Sequence, residues 1–170
     1  KGVKVIVASR TVQALGLKHV EASKAAAREA GLRLMMHIGD IGPKSQTPTP
    51  PEIVSQAVAM LDPGDAVTHI FTPLTGAALD GDDRLLPELL EAQGRGIFMD
   101  TSYGDFNFGW GRADTVLAQG LRPDTIATDI EIHAGDGQRR ISERGLLEYA
   151  AYFLELGFSL EEVVKMTTVT

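Results

Sequence analysis

The sequence predicts an α/β fold built on a parallel sheet, and three observations support this prediction. Short apolar runs recur at a nearly constant step, helical segments fill the intervals, and most of these segments end at Gly or at a Pro-Gly turn. This alternation is typical of parallel strands joined by crossover helices. Counted from Val3, Leu34, Ala66, Ile97 and Thr125, the runs follow one another at steps of 31, 32, 31 and 28 residues, so we expect one repeated βα unit.

Five apolar runs are the predicted strands, and they lie at Val3–Ala8, Leu32–His37, Ala66–Phe71, Gly96–Asp100 and Thr125–Asp129. The predicted helices lie at Val20–Ala30, Pro51–Leu61, Leu85–Gln93, Gly111–Gln119 and Ile141–Leu156. A last helix begins at Ser159, which forms a capping-box pattern with Glu162. Four prolines between Pro43 and Pro51 predict an irregular loop after the second strand. His19 lies in a polar helical stretch, and we expect it to be exposed.

The composition limits the class of protein. Of the 170 residues, 44% are apolar and 23% are charged, which is typical of a globular domain with a sizeable core. The 16 basic and 23 acidic residues give a net charge of −7 with no basic stripe, which argues against a nucleic-acid partner. No apolar run approaches the length of a membrane span. The absence of Cys excludes disulfides and thiolate ligands and fits a cytoplasmic protein.

Polar side chains stand at one end of the predicted strands. His37 ends the second strand, His69 lies near the end of the third, Asp100 ends the fourth and Asp129 ends the fifth. Enzymes with β/α barrels build their active sites at these carboxyl ends. Two imidazoles and a carboxylate are suitable ligands for a divalent ion such as zinc. The competing interpretation is structural, since single histidines at strand ends are often only hydrogen-bonded and Asp before a helix is often only a cap.

The periodicity alone fits either a closed barrel or an open doubly wound sheet. The polar residues at the strand ends favour the barrel. These segments resemble motifs of the amidohydrolase superfamily, in the dihydroorotase-like branch of amidohydrolases and deacetylases. The matching segments are Gly2–Val5, Met36–Gly39, Gly64–His69, Asp100–Gly104 with Phe106–Phe108, and Pro123–Asp129.

The resemblance implies a metal-dependent (β/α)8 TIM-like barrel, of which this chain covers roughly strands four to eight. Residues 1–170 are then the C-terminal part of one catalytic barrel domain, without its N-terminal strands. The apolar run that follows Lys1 directly, without a targeting signal, fits a start inside a longer sequence. The paired histidines that the family carries on its first strand are absent, so we expect an incomplete metal site in this chain.

The resemblance also implies the ligands of two divalent metal ions, for which zinc is the expected element. Lys4, as a carbamate, would bridge the two ions, and His37 and His69 would bind the second ion. Asp129 would bind the first ion and act as the general base. A lysine ammonium cannot ligate a metal, whereas its carbamate is a carboxylate that two cations can share. Without the resemblance Lys4 would be interpreted as a solvated charge, and Lys1 is a weaker candidate for the same role.

The implied reaction is hydrolysis of an amide, cyclic amide or acyl ester bond of a small molecule by a metal-bound hydroxide. Tyr103, Asn107 and Arg10 are the candidate substrate-binding residues. Tyr103 stands where the family usually has a histidine, which leaves the substrate open. Glu131 and His133 follow Asp129 and are further candidates for the mouth of the site.

Two alternatives belong to other functional classes. The barrel would be a binding or scaffold module if the strand-end residues only hold the structure. It would be a deaminase of the same superfamily if the site needs one metal and no carbamate. An incomplete barrel exposes unpaired sheet edges, so homo-oligomerisation or pairing with missing segments is a further expectation.

Overall fold

The computed structural model describes residues 1–41, 47–104, 106–129 and 145–168, together with the backbone of residues 132–133 and 140–141. The strands are β1 (Gly2–Val7), β2 (Arg33–Ile38), β3 (Ala66–Thr68), β4 (Phe98–Asp100), β5 (Ile132–His133) and β6 (Arg140–Ile141). The helices are α1 (Ser9–Leu15), α2 (Lys18–Glu29), α3 (Pro51–Ala59), α4 (Pro87–Gly94), α5 (Trp110–Ala118), α6 (Leu146–Glu155) and α7 (Leu160–Thr168).

The main sheet has four parallel strands in the order β1-β2-β3-β4. Each strand therefore pairs with the next one along the chain, as in a β/α barrel. A doubly wound sheet reverses its strand order at a switch point, and this sheet does not. The register places Ile6, His37, Thr68 and Asp100 in one row across the four strands.

The two faces of the sheet differ in their environment. One face carries apolar side chains that are almost fully buried against the helices, namely Val5, Val7, Leu34, Met36, Ile38, Val67 and Met99. Because side chains alternate along a strand, the other face carries Lys4, His37 and Asp100. This second face is the interior of the predicted barrel. It is partly open, and Phe98 on it is 37% exposed.

Three predicted elements need correction. The predicted fifth strand, Thr125–Asp129, is not a regular strand; a single parallel bridge joins Thr125 to Asp100, and the segment then accepts hydrogen bonds from the loop after β4. The predicted third strand ends early, at Thr68, because His69 turns to a φ of 72°. The last long helix begins at Leu146, since residues 140–141 pair with residues 132–133 in a small antiparallel sheet.

Other local features were either missed or confirmed. Helix α1 and the small antiparallel sheet were not predicted from the sequence. The capping box before α7 is confirmed, since the Ser159 backbone N–H donates to Glu162 at 2.7 Å and the Glu162 N–H donates to the Ser159 hydroxyl at 3.2 Å. Residues 42–46 of the predicted proline-rich loop lie outside the described residues, and residues 47–50 are irregular. Among the described residues, no helix is both long and apolar enough to span a membrane.

Candidate metal centre

The carboxyl ends of β2 and β3 bring two histidines into contact. His37 is 9% exposed and the His69 side chain is fully buried. Their rings meet edge to face, with centroids 4.4 Å apart and planes inclined by 71°. The two histidines that the sequence singled out therefore lie side by side at the predicted edge of the sheet.

Backbone carbonyls fix which nitrogen of each ring carries the proton. The Nε2 atom of His37 lies 3.0 Å from the Gly39 carbonyl oxygen, and the Nδ1 atom of His69 lies 2.9 Å from the Ser102 carbonyl oxygen. A carbonyl oxygen can only accept, so each of these nitrogens donates. In the neutral rings, Nδ1 of His37 and Nε2 of His69 consequently present lone pairs, as metal-binding imidazoles do.

Asp129 completes this group from the end of the predicted fifth strand. Its Oδ2 lies 3.5 Å from Nε2 of His69. Among the buried side-chain atoms described, His69 Nε2 lacks a hydrogen-bond partner. His69 and Asp129 also share an unusual backbone, with φ angles of 72° and 47°, in the left-handed region that non-Gly residues seldom adopt. Such backbone conformations persist where the surroundings enforce them, and they cluster at functional sites.

Electrostatics keep both imidazoles neutral near neutral pH. Burial, the neighbouring His69 ring and the Lys4 ammonium together lower the pKa of His37 to about 4. Burial also lowers the pKa of His69, although its hydrogen bond to the Ser102 carbonyl and the charge of Asp129 act in the opposite direction. Neutral rings with available lone pairs are the form that binds a cation.

Lys4 stands on the same face of the sheet as the two histidines. It pairs in register with Met35, two residues before His37 on β2. That offset corresponds to about 7 Å along the strand. The Lys4 side chain is exposed, and its charge affects the pKa of both rings. Its position fits the predicted bridging ligand, and its carboxylation remains a prediction.

Within the part of the chain that the structure describes, no group of three or more His, Cys, Asp or Glu side chains meets the geometry of a metal site. The ligand set of Lys4, His37, His69 and Asp129 therefore stays a prediction. The donor chemistry nevertheless fits a cation, because a buried lone pair on His69 faces a carboxylate oxygen without an intervening proton.

The candidate substrate-binding residues lie in different surroundings. Tyr103 is half-buried and stacks on Phe108, with ring centroids 6.0 Å apart. Asn107 is half-buried, and its Oδ1 accepts a hydrogen bond from the Thr72 hydroxyl at 3.3 Å. Arg10 is exposed at the start of α1. A cleft of about 260 Å³ lies beside Thr72, and its wall includes Thr49, Thr75, Asp80 and Arg112.

Two other predictions concern residues near this edge. Glu131 and the side chain of His133 lie outside the described residues. His19 was expected to be exposed, and this was wrong. It is half-buried, with Nδ1 2.8 Å from the Gly16 carbonyl oxygen and Nε2 3.0 Å from the Ile6 carbonyl oxygen. These contacts tie α2 to the end of β1.

Sequence reasoning missed the supporting role of two buried carboxylates, Asp40 and Asp100. Asp40 is 1% exposed, and its carboxylate accepts hydrogen bonds from Ser9, Thr49 and Thr75, in the segments after β1, β2 and β3. Asp100 is 3% exposed and accepts from Thr68, Ser102 and Thr125. The signal in the sequence is an Asp at a strand end with Ser or Thr in the neighbouring loops. Asp100 was noted as one of the polar residues at the strand ends, but its hydrogen-bonding role was not predicted.

Known proteins resemble the chain in sequence. No family model matches it. A deacetylase of Agrobacterium fabrum is 29% identical over 78% of the chain, and a deacetylase of Brucella anthropi is 28% identical over the same share. A deacetylase of Enterococcus faecalis is 25% identical over 98% of the chain. The chain spans 30%, 31% and 42% of the lengths of these three relatives.

Solved structures show the same fold. The crystal structure of a dihydroorotase superposes on 97% of the chain with a TM-score of 0.71 and 24% identity, and the chain covers 40% of it. That of an adenine deaminase superposes on 96% of the chain with a TM-score of 0.76 and 23% identity, and the chain covers 42% of it. The predicted resemblance to deacetylases and to the fold of a dihydroorotase is confirmed. The four parallel strands match part of the barrel of these two structures, and the predicted fold class is correct.

The barrel fold of these solved structures explains the open face of the sheet. In a complete barrel, strands surround this interior on all sides, so Lys4 and Phe98 would face other strands. The side chains of His37, His69 and Asp129 stand at the carboxyl ends of strands or of strand-like segments, where barrels of this kind bind their substrates.

Proposed function

We propose that the full-length protein is a metal-dependent hydrolase that cleaves an amide, cyclic amide or acyl ester bond of a small molecule. His37, His69, Asp129 and a carboxylated Lys4 are the proposed metal ligands from this chain, and Asp129 is also the proposed general base. The three relatives named deacetylase support removal of an acyl group as the reaction class.

One observation carries this proposal, namely the contact between His69 and Asp129. The Nδ1–H of His69 is committed to the Ser102 carbonyl, so Nε2 faces the carboxylate oxygen at 3.5 Å with a lone pair. Two electron-rich atoms that face each other inside a protein repel one another unless a cation lies near them. The resemblance assigns these two atoms to neighbouring ions, and the ions of a two-metal site lie only about 3.5–4 Å apart, so this spacing fits a metal centre.

A bound divalent ion polarises a carbonyl oxygen and lowers the pKa of water from 15.7 to about 7. Asp129 is placed to serve that chemistry. Its side chain is 33% exposed, so one edge of the carboxylate is open to a substrate or to water while the other faces His69. The carboxylate would accept a proton from the attacking water and return it to the leaving nitrogen or oxygen.

Several finer points belong to the same proposal. We propose two ions in the complete barrel, with zinc as the element, because imidazole and carboxylate ligands suit zinc. The substrate is a small molecule, and Tyr103, Asn107 and Arg10 are its proposed contacts. A cytoplasmic location is proposed from the absence of cysteine in the sequence. A chain without the other barrel strands has unpaired sheet edges. We propose that copies associate only in that case, through these edges.

Metal content tests the ligand assignment. The full-length protein should contain about two equivalents of zinc or a similar ion by elemental analysis. His37→Ala and His69→Ala should each lose metal, while His19→Ala, which removes a histidine bound to two carbonyls elsewhere, should keep it. A full-length protein without metal after loading, or equal retention in all three variants, would contradict the proposal. Mass spectrometry under native conditions would show the carbamate on Lys4.

Activity tests the role of Asp129. Asp129→Asn should lower kcat about 10²- to 10⁴-fold toward an N-acetylated or O-acetylated substrate, since the amide cannot take up a proton at neutral pH. The matched control is Asp124→Asn, because Asp124 lies five residues earlier and only accepts hydrogen bonds from Met99 N–H and Gln93. Near wild-type kcat in Asp129→Asn would refute the assignment of the base.

A further inference from the structure

The backbone carbonyl that orients His69 is itself held by a buried carboxylate. Asp100 Oδ2 accepts the Ser102 backbone N–H at 3.1 Å and the Ser102 hydroxyl at 2.6 Å. The same residue, Ser102, supplies the carbonyl oxygen 2.9 Å from His69 Nδ1. The residue whose carbonyl fixes the His69 proton is therefore held by two hydrogen bonds to one side chain.

The Asp100 carboxylate joins three segments around this point. Besides Ser102, its Oδ2 accepts the Thr68 hydroxyl from the end of β3 at 2.5 Å, and its Oδ1 accepts the Thr125 hydroxyl at 2.5 Å. The main-chain carbonyl of Asp100 accepts the His69 N–H at 3.0 Å. Asp100 thus holds the backbone of His69 directly and its ring through Ser102.

We propose that Asp100 is a positioning residue for His69, which sets both the ring orientation and the tautomer with the lone pair on Nε2. This inference deepens the proposed function and rests on it for the role of His69 as a metal ligand. Groups that orient a metal-binding imidazole through its other nitrogen commonly lower metal affinity about 10- to 100-fold when they are removed. Both carboxylate oxygens of Asp100 accept hydrogen bonds from Thr68, Ser102 or Thr125, so we assign it to positioning and not to metal binding.

The tautomer can be measured without metal. In the metal-free full-length protein with ¹⁵N-labelled histidine, long-range proton–nitrogen spectra at about pH 8 should show His69 protonated on Nδ1, with the signal identified by its loss in His69→Gln. Asp100→Ala should shift His69 toward the Nε2–H form, which dominates for an imidazole free in water. In the metal-loaded protein, the same variant should weaken zinc binding about 10- to 100-fold in chelator competition.

Two further variants separate positioning from general destabilisation. Asp65→Ala removes another buried carboxylate of the same sheet, 5% exposed, which accepts the Leu34 and Asp62 N–H groups at the opposite end of β3. It should lower stability while leaving the His69 tautomer and zinc affinity unchanged. Asp100→Asn should largely restore both readouts, because an amide oxygen can accept from Ser102 while the Thr125 hydroxyl reverses to accept from the amide.

The outcomes decide the proposal even if Asp100→Ala does not fold. Ser102→Ala removes one of the two hydrogen bonds that hold residue 102 to Asp100 and should shift the His69 tautomer in the same direction, by less. An unchanged tautomer in every folded variant of Asp100 and Ser102 would overturn the inference. A shifted tautomer in a protein that never binds metal would uphold it while refuting the proposed function.

Discussion

His37 and His69 meet edge to face at the carboxyl ends of neighbouring strands, with ring centroids 4.4 Å apart, and each ring donates one N–H to a backbone carbonyl. Two imidazoles at this distance oppose each other's protonation. The backbone thus fixes the tautomers, and the close contact together with burial disfavours the charged forms. Both rings are therefore held neutral, with one nitrogen lone pair each available to bind a cation.

The first prediction concerns pH and the free energy of unfolding of the metal-free full-length protein. The pKa of His37 is about 4 in the folded protein against 6.5 in an unfolded chain, so the unfolded state binds more protons between these pH values. Stability should therefore fall as the pH drops from 6.5 to 4. His37 contributes up to about 3 kcal/mol to this loss.

The difference between the wild-type protein and His37→Gln isolates this contribution. Urea unfolding across the same pH range should show the wild-type free energy falling more steeply than that of the variant as the pH falls, because the variant has no imidazole at position 37 to protonate. Any constant cost of the substitution cancels in this comparison. Parallel curves would show that the histidine titrates alike in both states.

The sheet could be predicted from the sequence because it depends on a repeated local pattern. Buried parallel strands are short apolar runs, and helices with Gly stops separate them, so the first, second and fourth strands were located within two residues or so. The fifth was not, because Thr125–Asp129 has the composition of a strand while its hydrogen bonds run to the loop after β4. Composition does not reveal which backbone lies beside a segment.

The second prediction concerns Tyr103, whose ring packs among Phe108, Tyr149 and Tyr152. Tyr103→Phe keeps these ring contacts, so the midpoint of unfolding should stay close to that of the wild-type protein. If the hydroxyl binds substrate as proposed, KM should rise about 2- to 10-fold with little change in kcat. Steady-state kinetics with an acetylated substrate and thermal unfolding provide the measurements.

Tyr149→Phe is the control for that experiment. The Tyr149 hydroxyl is buried and donates to the Thr101 carbonyl, and burial raises its pKa. Its removal should cost about 1 kcal/mol of stability and leave KM unchanged. An unchanged KM in Tyr103→Phe would mean that the Tyr103 hydroxyl does not bind substrate and that the ring only packs against its aromatic neighbours. An unchanged stability in Tyr149→Phe would mean that the buried hydroxyl does not stabilise the fold.

The ligand residues of the site were predictable, whereas their supports were not. His37, His69 and Asp129 stand at strand ends and carry distinctive chemistry, so a pattern of residue types was sufficient to select them. In the sequence Asp40 looks like an ordinary loop residue, and Asp100 looks like one more polar residue at a strand end. Their importance lies in donors that are 31 to 35 residues away for Ser9, Thr68 and Thr75, and such long-range pairing is fixed only by the folded sheet.

The third prediction concerns Asp40, which directly follows Gly39. Its carboxylate joins the segments after β1, β2 and β3. Burial alone would raise the pKa of its carboxyl, but hydrogen bonds from Thr49, Thr75 and Ser9 outweigh burial and lower it. Asp40→Ala would leave these donors without their acceptor, at a cost of about 3 kcal/mol in urea unfolding. Asp82→Ala, at an exposed carboxylate paired with Arg84, should cost less than about 0.5 kcal/mol. Equal losses in the two variants would show that the loops are held together by packing and that the buried carboxylate is dispensable.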